Sequence, residues 1–254
     1  MSIVIVERPS PNHDDRPVAA EKGGVDMLVL HYTGMRSGEE AIERLSDPAA
    51  RVSAHYVIEE DGSVFRLVPE ERRAWHAGVS FWQGRRGLND VSVGIEIVNP
   101  GHEWGYRPFP PAQMNAVRTL SSQIIARHGI PADRVVAHSD IAPDRKQDPG
   151  ELFDWPGLAR AGIGLWPGDD AVQAEPAPEE PVTVRAMQAR LAAFGYDCPQ
   201  TGEADAATRI VMAAFQRRFR PARIDGQPDA ECFARLGRLL ALRDLLSRPR
   251  GQGE

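Results

Sequence analysis

The stretch Pro167–Pro181 reads PGDDAVQAEPAPEEP, rich in proline and acid and almost without bulky apolar side chains. A segment of that composition cannot bury enough apolar surface to offset the entropy of ordering it, and it behaves as an extended linker. It therefore divides the chain into two folding units, residues 1–166 and residues 182–254, with 167–181 between them. A chain of 254 residues is long enough for that arrangement, a mid-sized domain followed by a small accessory one. The net charge of −6 gives no whole-chain attraction to nucleic acid or to an anionic membrane. Two cysteines, Cys198 and Cys232, stand far apart and outside any CxxC pattern. That excludes a cysteine zinc finger and argues against a disulfide-stapled scaffold, leaving two buried free thiols as the expectation. Met1–Asp15 has no basic stretch and only the short apolar run Ile3–Val6, and no segment approaches membrane-spanning length. The expectation is a cytoplasmic protein, which a longer natural precursor would change.

In the first unit, Met27–Leu30 is a continuous apolar run ending in His31, and Val135–Ala137 is a shorter one ending in His138. Both predict buried strands with a histidine at the exit. Val91–Val98 alternates instead, with Val91, Val93, Ile95 and Ile97 on one face and Ser92, Gly94 and Glu96 on the other. Pro111 predicts the start of a helix whose apolar stripe is Met114, Val117, Leu120 and Ile124 and whose end is Gly129. A shorter helix is expected over about Gly38–Leu45. Strands interleaved with helices predict an α/β domain, a mixed central sheet flanked by helices. The second unit carries three helical stripes: Val184, Met187, Leu191 and Phe194; Val211, Phe215 and Phe219; Phe233, Leu236 and Leu240. It is expected to be a small all-α three-helix domain.

Seven histidines occur, and a lone histidine is ordinarily a hydrogen-bonded core or surface residue. His31 and His138 stand out because both lie at strand exits, where open-sheet sites tend to form. His138 opens the loop SDIAPDRKQDPG, which holds Asp140, Asp144, Lys146 and Asp148. Two neutral imidazoles and one carboxylate suit a catalytic zinc, since three protein ligands leave a fourth position for water. Acidic loop residues also serve simply to bend the backbone, so spacing alone leaves both readings open.

The segments LVLHYTG, VSAHYVI, AWHAG, VGIEIVNPGHEWGYRPFP and AHSDIAPDRKQDPG resemble the zinc N-acetylmuramoyl-L-alanine amidases of the amidase-2 family, in the family's order across most of residues 25–160. The resemblance implies zinc held by His31, His138 and Asp148, with Glu96 as the catalytic glutamate and Lys146 as the family's lysine. It implies hydrolysis of the bond between N-acetylmuramic acid, or its 1,6-anhydro form, and L-alanine in peptidoglycan fragments, in cell-wall recycling. Physical reading agrees. Zinc acidifies bound water, Glu96 on the polar face of its strand can move the proton, and Gly94 beside it leaves room for substrate. Lys146, one of only two lysines, can stabilise an oxyanion. Trp75 and His76 are expected to line the substrate groove, and Asn99, His102 and Tyr106 to contact the muropeptide from a loop. His55 is as readily structural as functional. Residues 182–246 resemble, more loosely, the helical peptidoglycan-binding domain, through VRAMQARLAAFGYDCPQTG, DAATRIVMAAFQRRF and ARIDGQPDAECFARL. Two roles stay open for it: substrate targeting, or packing against the catalytic domain, whose acidic surface Arg217, Arg218, Arg220 and Arg223 could face. A recognition protein of the same fold without chemistry, and another zinc hydrolase, are the competing classes. No HExxH helix occurs.

Overall fold

The computed structural model describes residues 3–17, 24–168 and 182–247, so the expected linker 167–181 lies almost wholly outside the described residues. The chain builds a mixed α/β sheet with helices on it, followed by an all-helical region. The strands are β1 (Ile5–Glu7), β2 (His13–Asp15), β3 (Met27–Tyr32), β4 (Tyr56–Ile58), β5 (Val64–Arg66), β6 (Arg72–Ala74), β7 (Phe81–Trp82), β8 (Arg85–Arg86), β9 (Ser92–Ile97) and β10 (Val135–Ala137). Six of them form one sheet in the order β1-β5-β4-β9-β3-β10. Its right half, β4-β9-β3-β10, is parallel throughout, while β4 and β5 are antiparallel.

Among the helices of the first region, α1 (Gly38–Ser46) starts where the Ser37 side chain accepts the Glu40 N–H. A short α2 covers Gly101–Trp104. Helix α3 (Pro111–His128) begins with proline and ends at Gly129, whose φ of 66° is the left-handed cap that glycine adopts without strain. Its stripe of Met114, Val117, Leu120 and Ile124 packs on one sheet face, against Leu28, Leu30, Val93, Ile95, Val135 and Ala137. A one-turn helix, α4 (His138–Ile141), follows β10 directly, and α5 spans Trp155–Arg160.

The opposite face of the parallel half is divided. Towards its N-terminal end, Met27, Val29 and Val136 are covered by the helical region, made of α6 (Val184–Phe194), α7 (Ala206–Phe219) and α8 (Ala230–Leu246). Leu191, Phe194, Phe215 and Leu236 share one apolar cluster with those strand residues. Towards its C-terminal end the same face carries His31, Glu96 and, just past β10, His138. Cys198 and Cys232 are both buried and free.

Candidate metal centre

Register brings the site together. In parallel strands, residues in register point to the same face, and His31 on β3 is paired with Glu96 on β9. Ala137 on β10 is in register with Leu30, so His138 comes level with His31. Three histidine and acid groups then converge. His31 Nδ1 lies 2.9 Å from His138 Nδ1, and Asp148 Oδ2 lies 2.9 Å from His138 Nδ1 and 3.2 Å from His31 Nδ1. His31, His138 and Asp148 are all buried, with exposures of 1%, 3% and 5%. Among the described residues this is the one group of three with metal-ligand geometry.

The surroundings favour the neutral form of His31 and the ionised form of Asp148. Burial, reinforced by His138, lowers the His31 pKa to about 4. Burial alone would raise the Asp148 carboxyl, but His138 and His31 reverse this and hold it well below the usual carboxylate range. His138 Nε2 is 3.3 Å from the Ala77 carbonyl, which can only accept, so Nε2 carries the proton and Nδ1 keeps its lone pair. Lone pairs and a carboxylate crowded within about 3 Å repel one another unless a cation lies between them.

Glu96 is half-buried beside this group, and burial, then the Asp148 charge, pushes its carboxyl well above the usual range, with Lys146 acting in the opposite sense. Glu96 Oε2 is shielded from solvent and has no hydrogen-bond partner among the described residues. An orphaned carboxylate oxygen beside three converging ligands is what a general base awaiting its substrate presents. Over the group lies a groove of about 730 Å³ lined by Glu96, Lys146, Asp148, His138, Trp75, His76, Tyr32, His102 and Trp104, among others. Concave space of that size with convergent polar groups suits a ligand site.

Residues 21–151 match the family model of N-acetylmuramoyl-L-alanine amidase, and residues 181–236 match that of a peptidoglycan binding domain. The N-acetylmuramoyl-L-alanine amidase AmiD of Escherichia coli (strain K12) is 40% identical over 91% of this chain and 88% of its own length. The chain belongs to the N-acetylmuramoyl-L-alanine amidase family. The 1,6-anhydro-N-acetylmuramyl-L-alanine amidase AmpD of Enterobacter cloacae is 39% identical, over 58% of this chain and 84% of its own length. The fold is similar to that of E. coli AmiD solved with the substrate anhydro-N-acetylmuramic acid-L-Ala-D-gamma-Glu-L-Lys, with a TM-score of 0.77 at 40% identity over 86% of this chain and 89% of that one. The protein is therefore an amidase, and a member of the class without chemistry is not the reading these relatives support.

The residues expected to touch substrate in this amidase separate into two groups. Trp75 and His102 line the groove. Trp75 is steadied by its indole N–H, which donates to Asp14 Oδ1 at 3.3 Å. His102 is held by the Tyr32 hydroxyl, 2.9 Å from its Nδ1, and by Glu151, 3.1 Å from its Nε2. Asn99 and Tyr106, in contrast, build the loop and do not line the groove. Asn99 is fully buried; its amide donates to the Arg107 carbonyl at 2.7 Å and its oxygen accepts from the Gly101 N–H at 3.0 Å. The Tyr106 hydroxyl donates to the Pro149 carbonyl at 2.8 Å and accepts from the Leu152 N–H at 2.9 Å, which ties that loop to the segment after Asp148. His76 lies at the groove floor with both ring nitrogens turned inward, one 3.0 Å from His31 Nε2 and the other 3.1 Å from Ser92 Oγ. The room beside Glu96 is also used differently than expected: a Cβ on Gly94 would lie 2.5 Å from the His76 ring, so it is this ring, not substrate, that Gly94 admits.

Several lining residues escaped the sequence reading. Arg36 stacks over the Trp104 ring at 4.1 Å, and Arg44 and Arg145 add positive charge to the walls. Arg36 lies just past HYTG, Arg145 within DRKQD and Arg44 within α1, positions that by themselves mark no face. His55 is fully buried and accepts the Gly94 N–H at 3.0 Å on its Nδ1, a structural role. Among the described residues no helix is long and apolar enough to cross a membrane.

Proposed function

We propose that this amidase uses zinc, held by His31, His138 and Asp148, to hydrolyse the amide bond between N-acetylmuramic acid, or its 1,6-anhydro form, and L-alanine in peptidoglycan fragments, as a step of cell-wall recycling. The observation that carries the reading is the meeting of two imidazole nitrogens and one carboxylate oxygen at 2.9–3.2 Å beside Glu96. Tetrahedral zinc with bonds of about 2.0–2.2 Å separates its ligands by about 3.3 Å, so these donors fit with small adjustments, and two histidines with one carboxylate are among the donor sets of catalytic zinc. Bound there, zinc supplies a Lewis acid that polarises the lactyl carbonyl and acidifies water to near neutral pH.

The protein's own groups do the rest. Glu96 takes a proton from the attacking water as the new C–O bond forms, and returns it to the alanine nitrogen as the C–N bond breaks. The products are the free lactyl carboxylate on the sugar and the free amine on the stem peptide. Lys146, half-buried on the groove wall, offers an ammonium to the oxyanion that develops on the carbonyl. Trp75 and Trp104 offer flat apolar faces for sugar or stem peptide, and the groove's arginines suit the stem's carboxylates. The names of the relatives, an N-acetylmuramoyl-L-alanine amidase and a 1,6-anhydro-N-acetylmuramyl-L-alanine amidase, support the substrate class. The cytoplasmic location expected from the sequence stands as part of this proposal, and fractionation of cells expressing the full gene product tests it.

The deciding experiment digests purified anhydro-muropeptide and intact sacculi, with and without a chelator, and reads the products by mass spectrometry. Release of free stem peptide that stops on chelation and returns with zinc is the expected result. No cleavage by zinc-loaded enzyme would move the assignment to another amide.

A further inference from the structure

The amidase reading leaves His76 and Ser92 without a role, although both are buried under the site. The direction of each hydrogen bond between them can be deduced from the end of the chain that has no choice. The Leu88 carbonyl has no proton to give, so the Ser92 hydroxyl, 2.7 Å away, donates to it. Its single proton thus committed, Ser92 Oγ can only accept from His76 Nε2 at 3.1 Å, which places the His76 proton on Nε2. A neutral imidazole protonated there has its lone pair on Nδ1. His31 Nε2, 3.0 Å from that lone pair, must then be the donor. With its proton on Nε2, His31 presents an unprotonated Nδ1 towards His138 and Asp148.

We propose that His76 and Ser92 form a one-way hydrogen-bond relay that fixes His31 in the tautomer able to bind metal through Nδ1, making His76 a positioning residue for zinc. The inference rests on the zinc reading above. Run in reverse, the relay would put a proton on His31 Nδ1, in the middle of the three ligand atoms, and close the site. The relay is built in place. The His76 and Ala77 backbone N–H groups both donate to Asn89 Oδ1, at 3.1 and 2.7 Å, and the His76 ring lies where only a residue without a Cβ, Gly94, admits it. The next residue does the same for the other histidine ligand, since the Ala77 carbonyl holds the proton on His138 Nε2. One dipeptide, His76-Ala77, pinned by Asn89, therefore sets the tautomers of both imidazoles. Partners of this kind raise the basicity of a ligand and fix its orientation.

The test compares full-length wild type with His76→Leu, His76→Asn and Ser92→Ala. Zinc affinity is measured by competition with a chelator of known affinity, and histidine tautomers by long-range ¹⁵N–¹H spectra. His76→Leu keeps apolar bulk but cannot accept, and zinc should bind about 10–100-fold more weakly. His76→Asn can accept through Oδ1 and should recover most of the loss, which a purely space-filling role would not produce. Ser92→Ala should weaken zinc less and allow His76 to populate both tautomers. Wild-type spectra should show Nε2 protonated on His31 and on His76. Wild-type zinc affinity in His76→Leu, or a proton on His76 Nδ1 in the wild type, would overturn the relay. Should His76→Leu fail to fold, the wild-type spectra and Ser92→Ala still decide. A wild type that binds no zinc at all defeats the zinc reading instead, and its tautomer spectrum still reports on the relay.

Discussion

Glu96 sits where burial and catalysis pull in opposite directions. Burial and the Asp148 charge favour its protonated form, whereas Lys146 favours the carboxylate. A base must be ionised to take a proton, so kcat/KM should rise on the acid side as Glu96 deprotonates. Lys146→Met removes a charge that lowers this pKa, so the acid limb should move to higher pH, in addition to any loss of rate. A pH–rate profile at matched metal loading checks it; a limb that stays or moves to lower pH would uncouple the two residues. Glu96→Ala should retain metal and lose turnover by about 10²-fold or more, the scale of a general base. Asp148→Ala should lose metal and activity together, because two imidazoles alone make a weak site. Metal analysis of purified protein separates these cases, and stoichiometric metal in Asp148→Ala would remove Asp148 from the ligand set.

At the scale of elements, the strands were legible because two apolar runs each end in a histidine and a third alternates. What spacing cannot show is that His31 and His138, 107 residues apart, meet. That meeting is a consequence of register between β3 and β10, which the family resemblance implied and local pattern did not. The polar face of β9 was legible as polar, but not as covered: Ser92 and Gly94 are fully hidden under the segment carrying His76, and nothing in AWHAG marks it as a cover rather than a groove wall. Asn99 and Tyr106 show a related point, since in sequence a loop residue that builds the loop looks like one that touches ligand. Gly94→Ala tests the cover directly. Its Cβ would press on the His76 ring at 2.5 Å, and β9 is held between β4 and β3 and cannot yield. A cost of about 1–3 kcal/mol and weaker metal binding are expected, read by thermal unfolding and chelator competition. The buried His55, just before β4 and hydrogen-bonded to the Gly94 N–H, gives a pH dependence. Burial, reinforced by Arg16, lowers its pKa to about 3, against roughly 6.5 in an unfolded chain. Its neutral form is thus favoured by folding; that contribution is complete above pH about 6.5 and is lost as pH falls towards 3. The thermal midpoint of metal-free protein should decline over that window.

At the scale of the whole molecule, the helical region is joined to the sheet by more than a connecting segment. Tyr196 donates its hydroxyl to Asp140 Oδ1 at 2.6 Å, Arg218 forms a fully buried ion pair with Asp140 Oδ2, and Arg218 Nη2 donates to the Val135 carbonyl at 2.9 Å. Trp82 packs edge-on against both Phe194 and Tyr196. Of the four arginines expected to face the first region, Arg218 does so and Arg217 approaches Glu151 at 3.9 Å, whereas Arg220 and Arg223 pair with acids of their own region. Asp140 lies two residues beyond His138 on the same helical turn, so the helical region grips the turn that carries a metal-site histidine. This packing accounts for the buried contacts whether or not the region also binds wall polymer. Replacing Arg218 by Met leaves the Asp140 charge buried without its counter-ion, which costs about 3–5 kcal/mol. Adding Asp140→Asn removes the stranded charge, so the double variant should recover a large part of that loss. Because Met27, Val29 and Val136 also depend on these helices for cover, wild type should unfold in one transition by calorimetry, with fluorescence and circular dichroism midpoints coincident. Two separated transitions, or an Arg218→Met protein as stable as wild type, would mean that the helices ride on the catalytic region without supporting it.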